Sequence, residues 1–268
     1  RILMKSTIAI IGAGNLGLSI ASGLHQTGHS LVLTRRKTAS LSSWTTKENV
    51  EVTSDNIQAV TKADVVIIAV QPSQCDRILR QIKQSLQKNC LVVCTAAGYQ
   101  IEQLEAVLGS DIAVYRAMPN TAISVQASMT LIASNETGFS RLSEVEELFS
   151  HVGETLAIEE DQMQAATVLC ASGIAFWLRL IRANTQGGVQ LGFESEVALK
   201  IATQTAYGAA RLLIESGNHP EAEIDRVTTP SGCTITGLNV MEHSGMSSAF
   251  IQGLTASFDK INEIKSTT

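Results

Sequence analysis

The chain has 268 residues, 44% of them hydrophobic and 17% charged, with a formal net charge of −5. Single cores rarely grow past about 250 residues, so two domains are expected. The charges are dispersed and no basic run exceeds "TRRK" at 34–37, which argues against a nucleic-acid surface and for a small-molecule partner.

The opening "RILMKST" is too short for a signal peptide and leads straight into a strand pattern, and no uninterrupted apolar run reaches the roughly 18 residues of a membrane span. A cytoplasmic protein with no membrane partner is therefore expected. Strand-like runs follow at 6–11, 30–34, 50–53, 64–70, 90–95 and 111–116, several of them apolar throughout, alternating with helical stretches. Strands buried on both faces of a parallel sheet read this way. Two more runs at 129–134 and 154–159, with a helix near 141–150 between them, bring the sheet to its end near residue 160.

Directly after the first strand, "IIGAGNLG" sets Gly12, Gly14 and Gly17 in G-x-G-x-x-G spacing. Gly12 suits the tight turn, Gly14 a close approach of backbone to a pyrophosphate, and Gly17 close helix-on-strand packing, with the helix N-terminus facing the anion. A dinucleotide site on a Rossmann-type, doubly wound α/β sheet is expected. At the end of the second strand stand Thr34, Arg35, Arg36 and Lys37, and no acidic residue occurs before Glu48. An acid there would bind a ribose 2′-OH and repel a 2′-phosphate, so NADP(H) is expected, with NAD(H) as the alternative.

The five cysteines are odd in number and have no paired spacing, so reduced thiols are expected. His25 and His29 are four apart, but Gly28 falls where the helix should end and no further ligand is near; no metal site is expected. After "EEDQ" the strand pattern stops and long helical stretches follow at about 161–191, 194–216 and 246–266, giving a Rossmann domain over 1–160 and an all-helical domain over 161–268.

A ketone reductase brings a Lys, His or Tyr acid to the nicotinamide, yet none of these lies between Gln162 and Leu199. A protonated cyclic imine needs no such acid, because hydride addition neutralises its charge. It needs orientation, dryness and an anchor. "TTPSGCT" at 228–234 enters a helix beginning near Thr234, and a hydroxyl-rich, Gly-bearing loop at a helix N-terminus offers amides and a positive dipole end to a carboxylate. A Ser/Thr helix cap with a Pro turn would also explain it.

These residues together resemble the pyrroline-5-carboxylate reductase family. "VTTPSGCTITGL" (227–238) is similar to that family's C-terminal signature, and "IGAGNLG", "AVQP" (69–72), "TAAG" (95–98), "RAMPNT" (116–121), "ASG" (171–173) and "GAARLLIESGNHPEAEIDRVTTP" (208–230) follow in family order. The resemblance implies NAD(P)H-dependent reduction of 1-pyrroline-5-carboxylate to L-proline. It also implies a homodimer or larger homo-oligomer with an intertwined helical dimerisation domain, whose carboxylate loop serves the partner's active site. By the same resemblance Thr234 stands beside the imine nitrogen, and Thr229, Gly232 and Cys233 hold the substrate carboxylate. Gly12, Ala13, Gly14, Asn15, Leu16, Gly17, Thr34, Arg35, Arg36, Asn56, Ala69, Val70, Gln71, Pro72, Ala96, Ala97 and Gly98 take the cofactor, with Met118, Pro119 and Asn120 by the nicotinamide and Asn120 also assigned to the substrate.

The chain departs from the family pattern at Gln71, Ala122, Gln126, Ser128, Ile174, Ser231 and Cys233. Ser231 alters an anion cup, so a neighbouring substrate such as pyrroline-2-carboxylate or a piperideine carboxylate is an alternative, as is a dinucleotide-binding regulator without turnover. A β-hydroxyacid dehydrogenase is disfavoured, because the Lys it needs on the long helix is missing.

Overall fold

The computed structural model describes residues 5–266, with side chains through residue 263. Eight strands are described: β1 (Thr7–Ile11), β2 (Ser30–Thr34), β3 (Val50–Thr53), β4 (Val65–Ile68), β5 (Leu91–Cys94), β6 (Ala113–Met118), β7 (Ser128–Ser134) and β8 (Gly153–Ala157). They form one sheet in the order β3-β2-β1-β4-β5-β6-β7-β8. The strands β4 and β5, made of "VVII" and "LVVC", are buried at every position, as the absence of polar alternation requires of strands covered on both faces. Helices α1 (Asn15–His25), α2 (Asn56–Val60), α3 (Pro72–Ile82), α4 (Ile101–Leu108), α5 (Glu136–Phe139) and α6 (Leu142–Ser150) complete this part of the chain.

The sheet carries an apolar core on each face. One contains Val66, Ile68, Leu79, Val92 and Leu104; the other contains Ile8, Ile10, Leu24, Leu33, Tyr115 and Phe149. Each fully buried aliphatic side chain of this kind contributes about 1.5–3 kcal/mol relative to exposure. Strands β1 to β6 run parallel, whereas β7 pairs antiparallel to β6 and β8 parallel to β7. The reason lies in the connections. Residues 119–127 hold only a 3-10 turn (Thr121–Val125), too little chain for the crossover of a dozen or more residues that a parallel neighbour demands. Residues 135–152 hold α5 and α6 and do make such a crossover.

The remaining chain is helical: α7 (Met163–Thr167), a π turn (Val168–Ser172), α8 (Gly173–Gln190), α9 (Ser195–Ser216), α10 (Pro220–Val227), α11 (Cys233–His243) and α12 (Met246–Ser266). The stretch expected as one helix over 161–191 is thus a short 3-10 turn (Glu160–Gln162) and two α-helical segments joined by the π turn. By packing, the chain divides into Arg1–Ala171 and Ser172–Thr268. The first turns of the long helix belong to the sheet unit, where Met163 and Cys170 join the core.

Glu160–Gln190 is long and apolar enough, by length and composition, to cross a bilayer, but it contains Arg179 and Arg182, and its first turns bury Met163, Val168 and Cys170. Within the helical unit, α8 lies along α9, and Trp177 packs against Phe250 with ring centroids 5.7 Å apart. A groove between α8 and α9 is lined by Trp177, Ile181, Thr205 and Ala209.

Candidate functional site

Because β1 to β6 are parallel, the turns after each of them open on one edge of the sheet, and the order reverses between β1 and β4. Ligands of doubly wound sheets bind at such a switch point. The backbone of the first turn is tied to the second strand: Gly12 N donates to Thr34 O at 3.2 Å and to Thr34 Oγ1 at 3.3 Å, and Ala13 N donates to Thr34 O at 2.8 Å. Gly12 has φ +96°, and a Cβ there would lie 2.5 Å from Val70 Cγ1 and 2.7 Å from Ala69 O. Any side chain at 12 would therefore strain the backbone and collide with the turn after β4. At Gly17 an added Cβ would meet Gly12 O at 2.5 Å, so the helix can sit against the turn only without one.

The helix start so formed is bare. Gly14 is the N-cap of α1, makes no side-chain cap, and has open space where a Cβ would be. Uncapped amides of Asn15, Leu16 and Gly17, at the positive end of an 11-residue helix, form the cradle that a pyrophosphate requires. The residues present fit a dinucleotide.

The other expected cofactor residues occupy the same edge. Thr34 is buried under the turn, while Arg35, Arg36 and Lys37 are exposed beyond it, two unpaired guanidinium groups among the described ion pairs and a suitable mate for a 2′-phosphate. Asn56 opens α2, with its Nδ2 on Gln81 Oε1 at 3.2 Å. Ala69 and Val70 line the first turn, Gln71 is the N-cap of α3 and Pro72 its first residue. After β5, Thr95 Oγ1 donates to Ile68 O at 3.0 Å, tying the Ala96–Ala97–Gly98 turn to β4; Ala97 and Gly98 are exposed. Met118 ends β6, and Asn120 follows the buried Pro119.

Asn120 has partners that the sequence did not announce: Ser128 Oγ accepts its backbone amide, and its side chain meets the Ala122 amide and Cys170. Arg116, also unassigned in the sequence, is buried on β6 and paired with Glu160 at 2.8 Å; the same Glu160 oxygen accepts from Ile101 N. Cys75 and Cys94 are buried below the turns after β4 and β5; the Cys75 thiol donates to the Gln71 carbonyl at 3.7 Å, and the neighbouring Cys94 thiol, then burial, push its pKa up.

In the helical unit the 228–234 loop is built as an open helix entrance. Helix α11 begins at Cys233 with Gly232 as N-cap, and no hydroxyl caps it. None of the loop's Ser/Thr side chains caps the start of α11; Thr228 instead donates to the Asp225 carbonyl at the end of α10, at 3.1 Å. Gly232 N donates to Thr229 O at 2.9 Å, which curls the loop, and Thr229, Cys233 and Thr234 are all exposed. Ser231 sits at φ +58°, a left-handed conformation that favours glycine. The entry to the loop is anchored by Glu223, which accepts from Asn218 at 2.7 Å and from Arg226 at 2.9 Å; the Asn218 bond is the largest cause of its lowered carboxyl pKa.

Histidines have structural roles. His29 is buried and accepts from Ser6 N at 3.2 Å, His219 caps α10, and His243 bonds the Asn239 carbonyl. All five cysteines are free. No cluster of three metal-ligating side chains occurs among the described residues.

Two family profiles match the chain. Residues 7–98 match "NADP oxidoreductase coenzyme F420-dependent" and residues 160–264 match "Pyrroline-5-carboxylate reductase dimerisation". Pyrroline-5-carboxylate reductase 1 and 2 of Dictyostelium discoideum are each 42% identical over 96% of this chain; the chain spans half the length of the first and 92% of the second. A solved pyrroline-5-carboxylate reductase from Coxiella burnetii is 32% identical, with a TM-score of 0.91 over 97% of this chain and 98% of that one.

Proposed function

The chain belongs to the pyrroline-5-carboxylate reductase family, and from that premise we propose that it reduces 1-pyrroline-5-carboxylate to L-proline at the expense of NADPH. The observation that carries this reading is the pair of uncapped helix entrances, one at Gly14 after β1 and one at Gly232 before α11. The first suits a pyrophosphate and the second a small carboxylate. A reductase of an anionic ring needs both.

The nicotinamide nucleotide, when bound, supplies the hydride. The first-turn amides would hold its pyrophosphate and the exposed Arg35 and Arg36 would select the 2′-phosphate, while Thr34, buried under the turn, holds the Gly12 amide that shapes the cradle. Ala69 to Pro72 and Ala96 to Gly98 flank it, and Met118 and Asn120 border the reacting end. Thr229, Gly232 and Cys233 grip the substrate carboxylate through backbone amides, and Thr234 Oγ1 orients the protonated ring nitrogen. The C=N carbon would accept the hydride as its new C–H bond, the π electrons would pass to nitrogen and neutralise its charge, and the proton already on that nitrogen would stay there. No side-chain acid is consumed, which accords with the absence of Lys, His and Tyr between Gln162 and Leu199.

The division of labour falls at 160/161, with nucleotide binding before it and both assembly and substrate binding after it; the dimerisation match beginning at 160 supports this. The working form is a cytoplasmic homodimer or larger homo-oligomer with intertwined helical regions, the loop acting on the partner subunit's nucleotide. Ser231 in its left-handed conformation makes ring size the open variable. A panel of pyrroline-5-carboxylate, pyrroline-2-carboxylate and a piperideine carboxylate, each with NADPH and NADH, tests the reading. The highest kcat/KM is expected for pyrroline-5-carboxylate with NADPH; a higher value for another ring reassigns the substrate, and NADPH binding without turnover of any ring makes the protein a regulator.

A further inference from the structure

Asn120 is held from both ends of its carboxamide. Its Oδ1 accepts from Ala122 N at 3.0 Å, while its Nδ2 donates to the Cys170 carbonyl at 3.4 Å and to the Cys170 sulfur at 3.5 Å. Cys170 is buried, and its thiol donates to the Met129 carbonyl at 2.9 Å. With the thiol proton directed at Met129, a sulfur lone pair faces Asn120. Turning the amide over would set Oδ1 against a carbonyl oxygen and the NH2 group against the Ala122 N–H, so one orientation is enforced.

The contact depends on the π turn. Val168–Ser172 widens the helix by one residue between α7 and α8, and such bulges recur at functional positions. A regular helix through the same stretch would alter the facing of its two ends by about 100°, the angle of one residue at 3.6 per turn. Burial also raises the Cys170 thiol above its ordinary pKa, which keeps it a neutral donor at physiological pH.

We propose that Cys170 is a positioning residue of the reductase: through the π turn it fixes the Asn120 carboxamide so that the second lone pair of Oδ1 accepts from an N–H donor at the reacting centre. This rests on the assignment of Asn120 to the site made above. Nucleotide affinity resides in the turns after β1, β2, β4 and β5, so Cys170 acts on turnover and not on NADPH binding.

The test measures kcat, KM and NADPH affinity for Cys170→Ala, Cys170→Ser, Asn120→Ala and the double alanine variant, together with the Asn120 side-chain NH2 signals in 15N spectra, identified by their loss in Asn120→Ala. Cys170→Ala is expected to lower kcat/KM for the imine about 10-fold, the effect of one hydrogen bond, with NADPH affinity within about twofold of wild type. Serine should restore most of the rate, the double variant should be no slower than Asn120→Ala, and the NH2 signals should shift in Cys170→Ala. An unchanged kcat/KM in Cys170→Ala, multiplying losses in the double variant, or unmoved NH2 signals overturn the proposal.

Should Cys170→Ala not fold, Asn120→Asp decides: it sets a carboxylate oxygen against the Cys170 carbonyl and should lose as much rate as Asn120→Ala, whereas a wild-type rate overturns the proposal. Should the wild type reduce no cyclic imine, the functional reading falls separately. The spectra then judge Cys170 alone, shifted signals sustaining its hold on Asn120 and unmoved signals refuting it.

Discussion

The two units of this chain handle apolar residues in opposite ways. In the sheet unit Ile8, Ile10, Ile67, Val92 and Tyr115 are fully enclosed, whereas in the helical unit Trp177, Leu178, Leu191, Ile214 and Ile251 lie from 60% to 82% exposed. One unit completes its core from its own chain, and the other leaves an apolar face that a second copy can cover. The proposed sites divide in the same way: the proposed nucleotide cradle is assembled within the sheet unit, while the loop proposed to hold the carboxylate is exposed in the helical unit.

Perturbations confined to one unit should therefore separate binding, turnover and assembly. The largest effect is expected at the loop. Thr234→Ala should lower kcat with pyrroline-5-carboxylate by about 100-fold, the scale of losing one oriented donor at a reacting centre, with the NADPH dissociation constant unchanged in a fluorescence titration. An unchanged kcat would remove Thr234 from the mechanism. Next comes assembly: Leu178→Glu with Ile214→Glu should weaken self-association by at least about 30-fold, as loss of an interface hot spot does. Sedimentation would read that shift, and the melting of the sheet unit should stay where it was.

On the nucleotide side Arg35→Ala should weaken NADPH binding by about 10-fold, the scale of losing one charge-assisted hydrogen bond, while leaving NADH binding unchanged. Competition binding with both nucleotides checks it; an equal loss for the two would show that Arg35 does not meet the 2′-phosphate.

The smallest effect concerns His29. Burial, then the charge of nearby His151, holds its pKa below 6.5, with Glu147 opposing. A lowered folded value means that the unfolded chain takes the proton first. Stability contributed by neutral His29 is thus complete above about pH 6.5 and is lost as pH falls below it toward the folded pKa. Denaturant titrations across pH 5 to 8 should show this slope in the wild type and a flatter one in His29→Gln.

The first six strands were legible because each is a short apolar run set between helical stretches, and the nucleotide turn because three glycines in fixed spacing admit few other uses. The reversal at β7 was not legible from strand patterns, since it follows from the shortness of 119–127 and not from the residues of β7. The loop at 228–234 could be read as an anion cup or as a Ser/Thr-capped helix; in the structure Gly232 is the N-cap of α11 and no side chain caps it. The contacts of Cys170 and Ser128 with Asn120 were hidden for a different reason, although Ser128 stood out as a departure from the family pattern. Their bearing on Asn120 arises from tertiary packing and a π turn, and neither has a local pattern that marks it in a sequence. The buried Arg116–Glu160 pair is hidden in the same way.

The anchoring of the substrate acid by peptide amides at the start of α11 is tested most directly by removing the acid. The measurement is kcat/KM with NADPH for 1-pyrroline-5-carboxylate against 1-pyrroline, the same ring without its carboxylate. Two hydrogen bonds to a charged group predict a loss of about 1000-fold for the bare ring. Comparable values for the two rings would contradict the account.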